Sequence, residues 1–510
     1  MKIISCLLTI AIIFATFTIT AFAKSDYALI FEQDANYNAS ETLVGDMNDD
    51  GKINMADVPT VRKYLAKWDI DLKYEYADLN GDRKINMADV LVIRKYLAKW
   101  DVEFAEVLSA SVGDVTDELI DMGKIYEGFW SDDEGYEYTI ARNPFDMVTY
   151  NGKIFVSAGN YNVNLGPVNI RYITRENEKA KSSSALSTEQ TDRFYKFDDS
   201  LFCLATDPQA WLTGEFYQLN PEKNKWITRN QLLQNIHLYD MAKHNGQYFF
   251  CGSNVSYDNP DGAEFSKGSV FRFDGESLQT STKSQYIDVP FVYKDGTVID
   301  YSGKNGVPRV FEFCEYNGEL YAFYYDAVLD KNKELYPQYF GDYKTVDGLY
   351  KYNDEKKQFE YIESNFKYAY LSGGYTKDHE SVMRDFQWQD DYVIVNNYLF
   401  LTNDFKNYEK IAVNNNENYF VRDCLVIGDK MYYLVNEKGE NGHYRNAVYE
   451  TQDFENWREI LNFDTYGFVR SFEFCDGMFA FAIGTSVDDA KSNAMGSKEC
   501  GRVFKYLYYN

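Results

Sequence analysis

The sequence holds no HExxH, no GxSxG and no cysteine–histidine constellation, so protease and esterase chemistry have no motif to stand on. After residue 19 no stretch approaches 18 uninterrupted apolar residues, which leaves no helix able to span a membrane beyond the N-terminus. Positive charge is scarce: 52 Lys and Arg stand against 79 Asp and Glu, a formal net charge of −27. Such a surface repels nucleic acid and anionic membrane, and neither is a credible partner. Proline is scarce as well, 9 in 510 residues, and from residue 106 onward no long helical periodicity is present. That long region has to be built from something other than helices.

What is there begins with Met1-Lys2, an apolar run from Ile3 to about Ile19, and Ala21-Phe22-Ala23 ahead of Lys24. One basic residue, a short apolar core and an A-x-A site predict a signal peptide over residues 1–23 and export of the mature chain. Six cysteines follow it: Cys203, Cys251, Cys314, Cys424, Cys475 and Cys500. An even count in an exported chain invites disulfides. Five of the six, however, sit in apolar strand-like runs such as Phe202-Cys203-Leu204, and none pair at close spacing, which favours buried thiols over bridges.

One segment is written twice. Lys52 to Val58 returns as Lys84 to Val90, and Arg62 to Asp69 as Arg94 to Asp101, both at an offset of 32 residues. Each copy is preceded by short oxygen-bearing side chains at alternating positions. Calcium takes six to eight hard oxygens at about 2.4 Å, supplied by positions 1, 3, 5, 7, 9 and 12 of a tightly curled loop. The first loop offers Asp46, Asn48, Asp50, the carbonyl of Lys52, Asn54 and Asp57. The second offers Asp78, Asn80, Asp82, the carbonyl of Lys84, Asn86 and Asp89. Position 6 is Gly51 in the first loop but Arg83 in the second, where a positive φ costs a non-glycine residue on the order of 1 kcal/mol. The second site is therefore expected to be the weaker.

Each loop feeds a helix whose apolar residues recur at heptad-like intervals: Val58, Val61, Leu65 and Trp68, then Val90, Ile93, Leu97 and Trp100. These predict one buried stripe per helix. The opposite faces carry Arg62, Lys63 and Lys67, and Arg94, Lys95 and Lys99. They are either a solvated basic surface or a partner surface that exists twice.

The duplicated D-x-N-x-D loops with their duplicated helices, Asp46 to Phe104, resemble a type I dockerin, an EF-hand-like calcium module. The resemblance implies two bound calcium ions and a cohesin of a cellulosomal scaffoldin as partner. It implies cohesin contacts at loop positions 10 and 11 and on the basic helix faces. Positions 10 and 11 are Met55-Ala56 and Met87-Ala88 where the family often has Ser-Thr, so the contact would be more apolar. With Arg62, Lys63, Lys67, Arg94, Lys95 and Lys99 these form the expected partner surface.

The remainder reads as all-β. Tyr and Phe number 45 and 36, and short apolar runs are separated by Asn-Gly, Asp-Gly or Asp-Asp pairs that favour hairpin turns. One hairpin recurs seven times: 147–155, 195–202, 241–249, 314–321, 386–393, 424–432 and 472–479. The turns stand near 47 residues apart, with two larger gaps near 72. Two hairpins in such a length make one four-stranded propeller blade, so about seven blades are expected. Ring closure is expected between 503–509 and a strand near 136–140. Thr402 to Tyr408 and Thr451 to Trp457 align without a gap and resemble turns on the outer strands of glycosidase and sialidase propellers; Asp404 and Asp453 should close them. The expected organisation is a signal peptide at 1–23, an N-terminal segment at 24–40, a small all-α dockerin at 41–104, a linker at 105–124 and a large all-β propeller at 125–510.

At the starts of inner strands stand Arg309, Arg384, Arg422 and Arg470, with Arg142, Arg193 and His237 in comparable places. They either pair with Asp385, Asp423 and their neighbours to hold the blades, or form a cationic pocket for an anionic sugar. Asn160, Asp207, Asn254, Asp326, Asn397 and Asn436, with Tyr161, Trp211, Tyr257 and Tyr398, mark the other strand ends on that face. Glycoside hydrolysis uses two carboxylates about 5–10 Å apart, and Asp146, Asp240, Glu312, Asp385, Asp423 and Glu473 lie near the right rim. The expected function is a cellulosomal glycoside hydrolase or lyase on plant cell-wall polysaccharide, or else a non-catalytic carbohydrate-binding or structural propeller.

Overall fold

The computed structural model describes residues 44–48, 50–68, 70, 72–125, 130–131, 137–138, 144–159, 167–208, 213–233, 237–256, 265–275, 278, 285–299, 309–325, 346–372, 382–484 and 499–509. The expected signal peptide and residues 24–40 lie outside them.

Seven sheets, each with an antiparallel four-stranded core, follow one another along the chain. Their inner hairpins are 147–156, 194–204, 237–256, 309–325, 384–396, 420–438 and 469–483, the seven hairpins expected from the repeat. We number these blades 1 to 7. Seven hydrophobic clusters separate them, one for each pair of neighbours from blades 1 and 2 round to blades 7 and 1. A blade is therefore buried on both faces, and its inner strands read as continuous apolar runs such as Met478–Ile483, every residue of which is buried. The turn pairs Asn151-Gly152 and Asp476-Gly477 all have positive φ, the conformation such hairpins require.

Two expectations change here. The ring closes on Ile120–Lys124, which pairs with Arg502–Leu507 as the outermost strand of blade 7. The strand expected near 136–140 instead pairs locally, Glu137–Tyr138 with Trp130–Ser131. The second change follows from the first, because residues 105–124 are not a linker. Gly113–Asp114 adds in parallel to the outer strand of blade 6. Leu108 and Val115 are buried in the core between blades 6 and 7. An N-terminal strand completing the last blade removes an open edge and makes unzipping of the ring costly.

The small module has its own core of Met47, Val58, Val61, Leu72, Ala77, Leu79, Ile85, Val90 and Ile93. Its helices span Asp57–Leu65 and Met87–Leu97, joined through a short helix at Tyr74–Ala77. The expected stripe is only partly buried: Val58, Val61, Val90 and Ile93 face the core, whereas Trp68 and Trp100 are exposed. The cause is the helix ends. The amide of Trp68 donates to the Lys63 carbonyl at 3.0 Å and that of Lys67 to Tyr64 at 2.8 Å, with the same pair at Trp100 and Lys99. Lys67 and Lys99 take φ of 59° and 58°, which ends each helix before its tryptophan and turns the ring outward.

Candidate functional site

The two loops have the same internal geometry. Asp46 accepts hydrogen bonds from the amides of Asp50 at 3.1 Å and Gly51 at 2.7 Å. Asp57 accepts from Met47 at 2.9 Å and from Asn54 at 2.7 Å, while the Asn54 side chain accepts from the Ala56 amide. In the second loop Asp78 accepts from Asp82 and Arg83, Asp89 from Leu79 and Asn86, and Asn86 from Ala88. In the second loop Asn86 and Asp89, positions 9 and 12, also form a capping box on the helix that follows.

The donor chemistry fits calcium. Asp46, Asp57 and Asp89 are fully buried and Asp78 nearly so, and among the described residues none has an ion pair. Burial pushes the Asp78 carboxyl up to about 6, with Asp89 and Asp82 adding to the rise. Burial also raises Asp89. Buried carboxylates crowded with like charge are what a cation relieves. Carboxylates alone do not make the site, since among the described residues no three His, Cys, Asp or Glu side chains converge on a metal position. Asn48, Asn54, Asn80, Asn86 and the carbonyls of Lys52 and Lys84 would have to complete each sphere.

Of the expected partner residues, Met55, Ala56, Arg62, Lys63, Lys67, Met87, Arg94 and Lys99 are exposed, and Ala88 and Lys95 half-buried. Met55 and Met87 keep 60% and 55% of their surface in solvent. Both copies of the face are open.

In the propeller the flagged acids do come together, but as staples between blades. Asp146 of blade 1 accepts from the Phe194 amide of blade 2 at 2.8 Å, and Asp240 of blade 3 from Phe313 of blade 4 at 2.6 Å. Asp423 of blade 6 accepts from Ser471 and Phe472 of blade 7, and Glu473 of blade 7 from Thr149 of blade 1, across the closure. Arg193 joins Asp240 at 3.5 Å to Glu312 at 2.6 Å. Arg384 joins Asp146 at 2.6 Å to Asp423 at 2.9 Å. Asp385 accepts from the Tyr392 hydroxyl at 2.6 Å within its own blade. All of these side chains are buried. The acids were legible as a register; their partners were not, because all but that of Asp385 lie on a different blade.

The other arginines behave differently. Arg422 is buried between the rings of Phe420 and Phe468 and donates to Asn436 and Asn397, both at 2.6 Å. Arg470 is buried with its guanidinium 4.3 Å from the Phe145 ring. The side chains of Arg309, Asp207 and Asn254, and residues Arg142, Asn160, Tyr161, Trp211, Tyr257 and Asp326, lie outside what is described. His237 and Tyr398 are half-buried. Asp404 and Asp453 close the turns between third and fourth strands, each accepting from the amides two and three residues on, and those bonds hold both carboxyls down at about 2. Cys203, Cys251, Cys314 and Cys475 are buried free thiols, and Cys424 and Cys500 are buried too.

The axis gives a pH dependence. Burial pushes the Asp240 carboxyl up to about 6 against the pull of Arg193, and that of Glu473 up to about 8 against the amides of Phe474 and Thr149. A carboxyl raised on folding holds its proton in the native state. Its stabilising contribution is complete below the unfolded value and is lost as pH rises through the folded one. The melting temperature of the full chain should therefore fall between pH 5 and pH 9, measured in buffers of constant ionic strength. A flat or rising profile would contradict protonated acids at the axis.

Fold and site together define a two-part chain: a duplicated loop-helix module carrying two oxygen-lined loops, set on a closed seven-bladed propeller. Residues 44–98 match the type I dockerin domain family, and the module is a dockerin of that type, a family whose members generally bind calcium. No curated protein matches the chain. Among solved structures, the chain is similar to a prolyl endopeptidase at 8% identity and a TM-score of 0.35, covering 68% of this chain and 47% of that one. It thus spans about half the length of that enzyme. Phage phi92 endosialidase has 10% identity and a TM-score of 0.32, over 77% of this chain and 69% of that one. The α-L-arabinofuranosidase Arb93A of Fusarium graminearum has 11% identity and a TM-score of 0.32, over 76% and 98%. Among the described residues no helix is long and apolar enough to cross a membrane.

Proposed function

We propose that this is a secreted cellulosome component whose dockerin binds a scaffoldin cohesin when calcium fills its two loops, and whose propeller acts on plant cell-wall or related polysaccharide. The observation that carries the docking half is the doubled face of Met55, Arg62, Lys63 and Lys67 and its copy Met87, Arg94, Lys95 and Lys99, exposed except for a half-buried Lys95, beside two buried anionic loops. Calcium held by Asp46, Asn48, Asp50, Lys52, Asn54 and Asp57, and by Asp78, Asn80, Asp82, Lys84, Asn86 and Asp89, would neutralise the buried charge and fix the helices that carry that face. In this reading the full chain binds immobilised cohesin in millimolar calcium, loses at least 100-fold in affinity in chelator, and recovers when calcium is restored. Binding indifferent to chelator would end the docking proposal.

For the propeller, the dockerin sits against the Asp476-Gly477 turn, and Arg309, Arg384, Arg422 and Arg470 stand at or near the strand starts on the opposite face. Hydrolysis or lyase chemistry on an O-glycosidic bond is the first reading of that face. One observation favours the second, a non-catalytic carbohydrate-binding or structural propeller: the described carboxylates near the axis are all buried, most of them in staples between blades. Reducing-sugar release and unsaturated-product absorbance over a panel of plant polysaccharides separates the two, since a binding propeller retains polysaccharide and releases nothing.

A further inference from the structure

The two calcium loops differ at one telling position. Gly51, at position 6 of the first loop, has φ of 77° and open space where a Cβ would stand. Arg83, at the same position of the second, has φ of 61°, and its backbone amide donates to Asp78 at 2.8 Å. Its guanidinium leaves the module: it donates to the Tyr506 hydroxyl at 2.9 Å and lies 5.5 Å from the Tyr508 ring, both at the end of the propeller's last strand. The residue that shapes the second calcium loop is thus held from outside by another domain.

The surroundings make that hold stiff. The Ala105 amide donates to Leu79 at 3.0 Å, inside the loop. Tyr509 and Tyr508 accept from the amides of Leu108 and Ala110 at 2.8 and 3.0 Å, so the connection is fastened to the same strand end. Beside it Arg175 of blade 1 donates to the carbonyls of Asp476, Gly477 and Tyr509 and stacks 3.9 Å from the ring of Tyr74, which packs into both the dockerin core and the core between blades 6 and 7. A Cβ on Gly477 would stand 2.7 Å from that of Tyr74. Neither basic helix face takes part, so both stay free for a partner.

We propose that Tyr506 and Tyr508 are positioning residues for the second calcium site, so that calcium binding there and docking of the dockerin on its own propeller are one coupled equilibrium. Arg83 can adopt a conformation that favours glycine because the propeller anchors its side chain, and the second loop is then preorganised in the full chain although its sequence reads as the weaker. Coupling is reciprocal: whatever factor docking adds to calcium affinity, calcium adds to docking.

This rests on the calcium reading of the loops, and the experiment separates the two. Calcium release from the full chain into a fluorescent chelator should give two phases, one per loop. Tyr506→Phe removes only the hydroxyl that holds Arg83 and should speed one phase about fivefold, as expected for loss of one charge-assisted hydrogen bond, leaving the other unchanged. Arg83→Ala should speed the same phase further. Spin labels at Lys99→Cys and Lys410→Cys, selective because the native cysteines are buried, should show a distance distribution that narrows on adding calcium to the wild type and less so in Tyr506→Phe. Two phases that ignore both variants would overturn the coupling alone. No calcium release at all would overturn the loop reading with it.

Discussion

Replacing Arg384 by methionine is expected to destabilise the propeller by about 3–5 kcal/mol, the cost of leaving buried carboxylates without their cation. The guanidinium spans blades 5, 6 and 1 through Asp423 and Asp146, whose side chains have no solvent exposure to fall back on. Methionine fills much of the volume, so packing is nearly conserved and the loss reports on charge. Urea unfolding followed by intrinsic fluorescence would measure it. The comparison is Arg445→Ala, which breaks an ion pair with Glu459 whose arginine is half exposed, and should cost no more than about 1 kcal/mol. Equal losses in the two variants would mean that Arg384 does not tie the ring.

The second large effect is expected at the partner surface. Because the basic faces are duplicated and both open, the dockerin should engage a cohesin through either helix after a half-turn. Arg62→Ala with Lys63→Ala should lower affinity less than threefold, since the copy at Arg94 and Lys95 still binds. Changing all four should lower it at least 100-fold, as expected when several interface cations are lost together. Surface plasmon resonance on a single immobilised cohesin gives both numbers. A single-copy change that already abolishes binding would show that the two faces are not equivalent. Because the dockerin is fastened to its propeller by Arg83, Tyr74 and Arg175, the two modes would present the propeller in two discrete orientations.

Much of this was open to reading from residues alone. The seven Asn-Gly-like turns named the seven inner hairpins, and the doubled D-x-N-x-D spacing named the two loops, because turn conformation and the hydrogen bonds that curl a loop are decided within about a dozen residues. Asp404 and Asp453 were placed for the same reason. The arginine register at the strand starts was visible too, but one spacing was compatible with two outcomes. Arg384 meets carboxylates of two other blades, while Arg422, in the same slot, meets Asn436, Asn397 and two phenylalanine rings. Trp68 and Trp100 misled for a local reason, since a lysine entering positive φ ended each helix where the periodicity continued.

The residues alone sufficed for the duplicated D-x-N-x-D loops, the duplicated helices and the propeller repeat, all of which rest on interactions between residues near one another in the chain. Only the tertiary structure decided what lies between distant segments. It set residues 113–124 into blades 6 and 7 instead of a linker, turned Asp146, Asp240, Asp423 and Glu473 into staples that need a partner on the next blade, and sent Arg83 to Tyr506, 423 positions away. Closing a ring joins the first strand to the last, and a contact of that span leaves no periodicity in the chain for a reader to find.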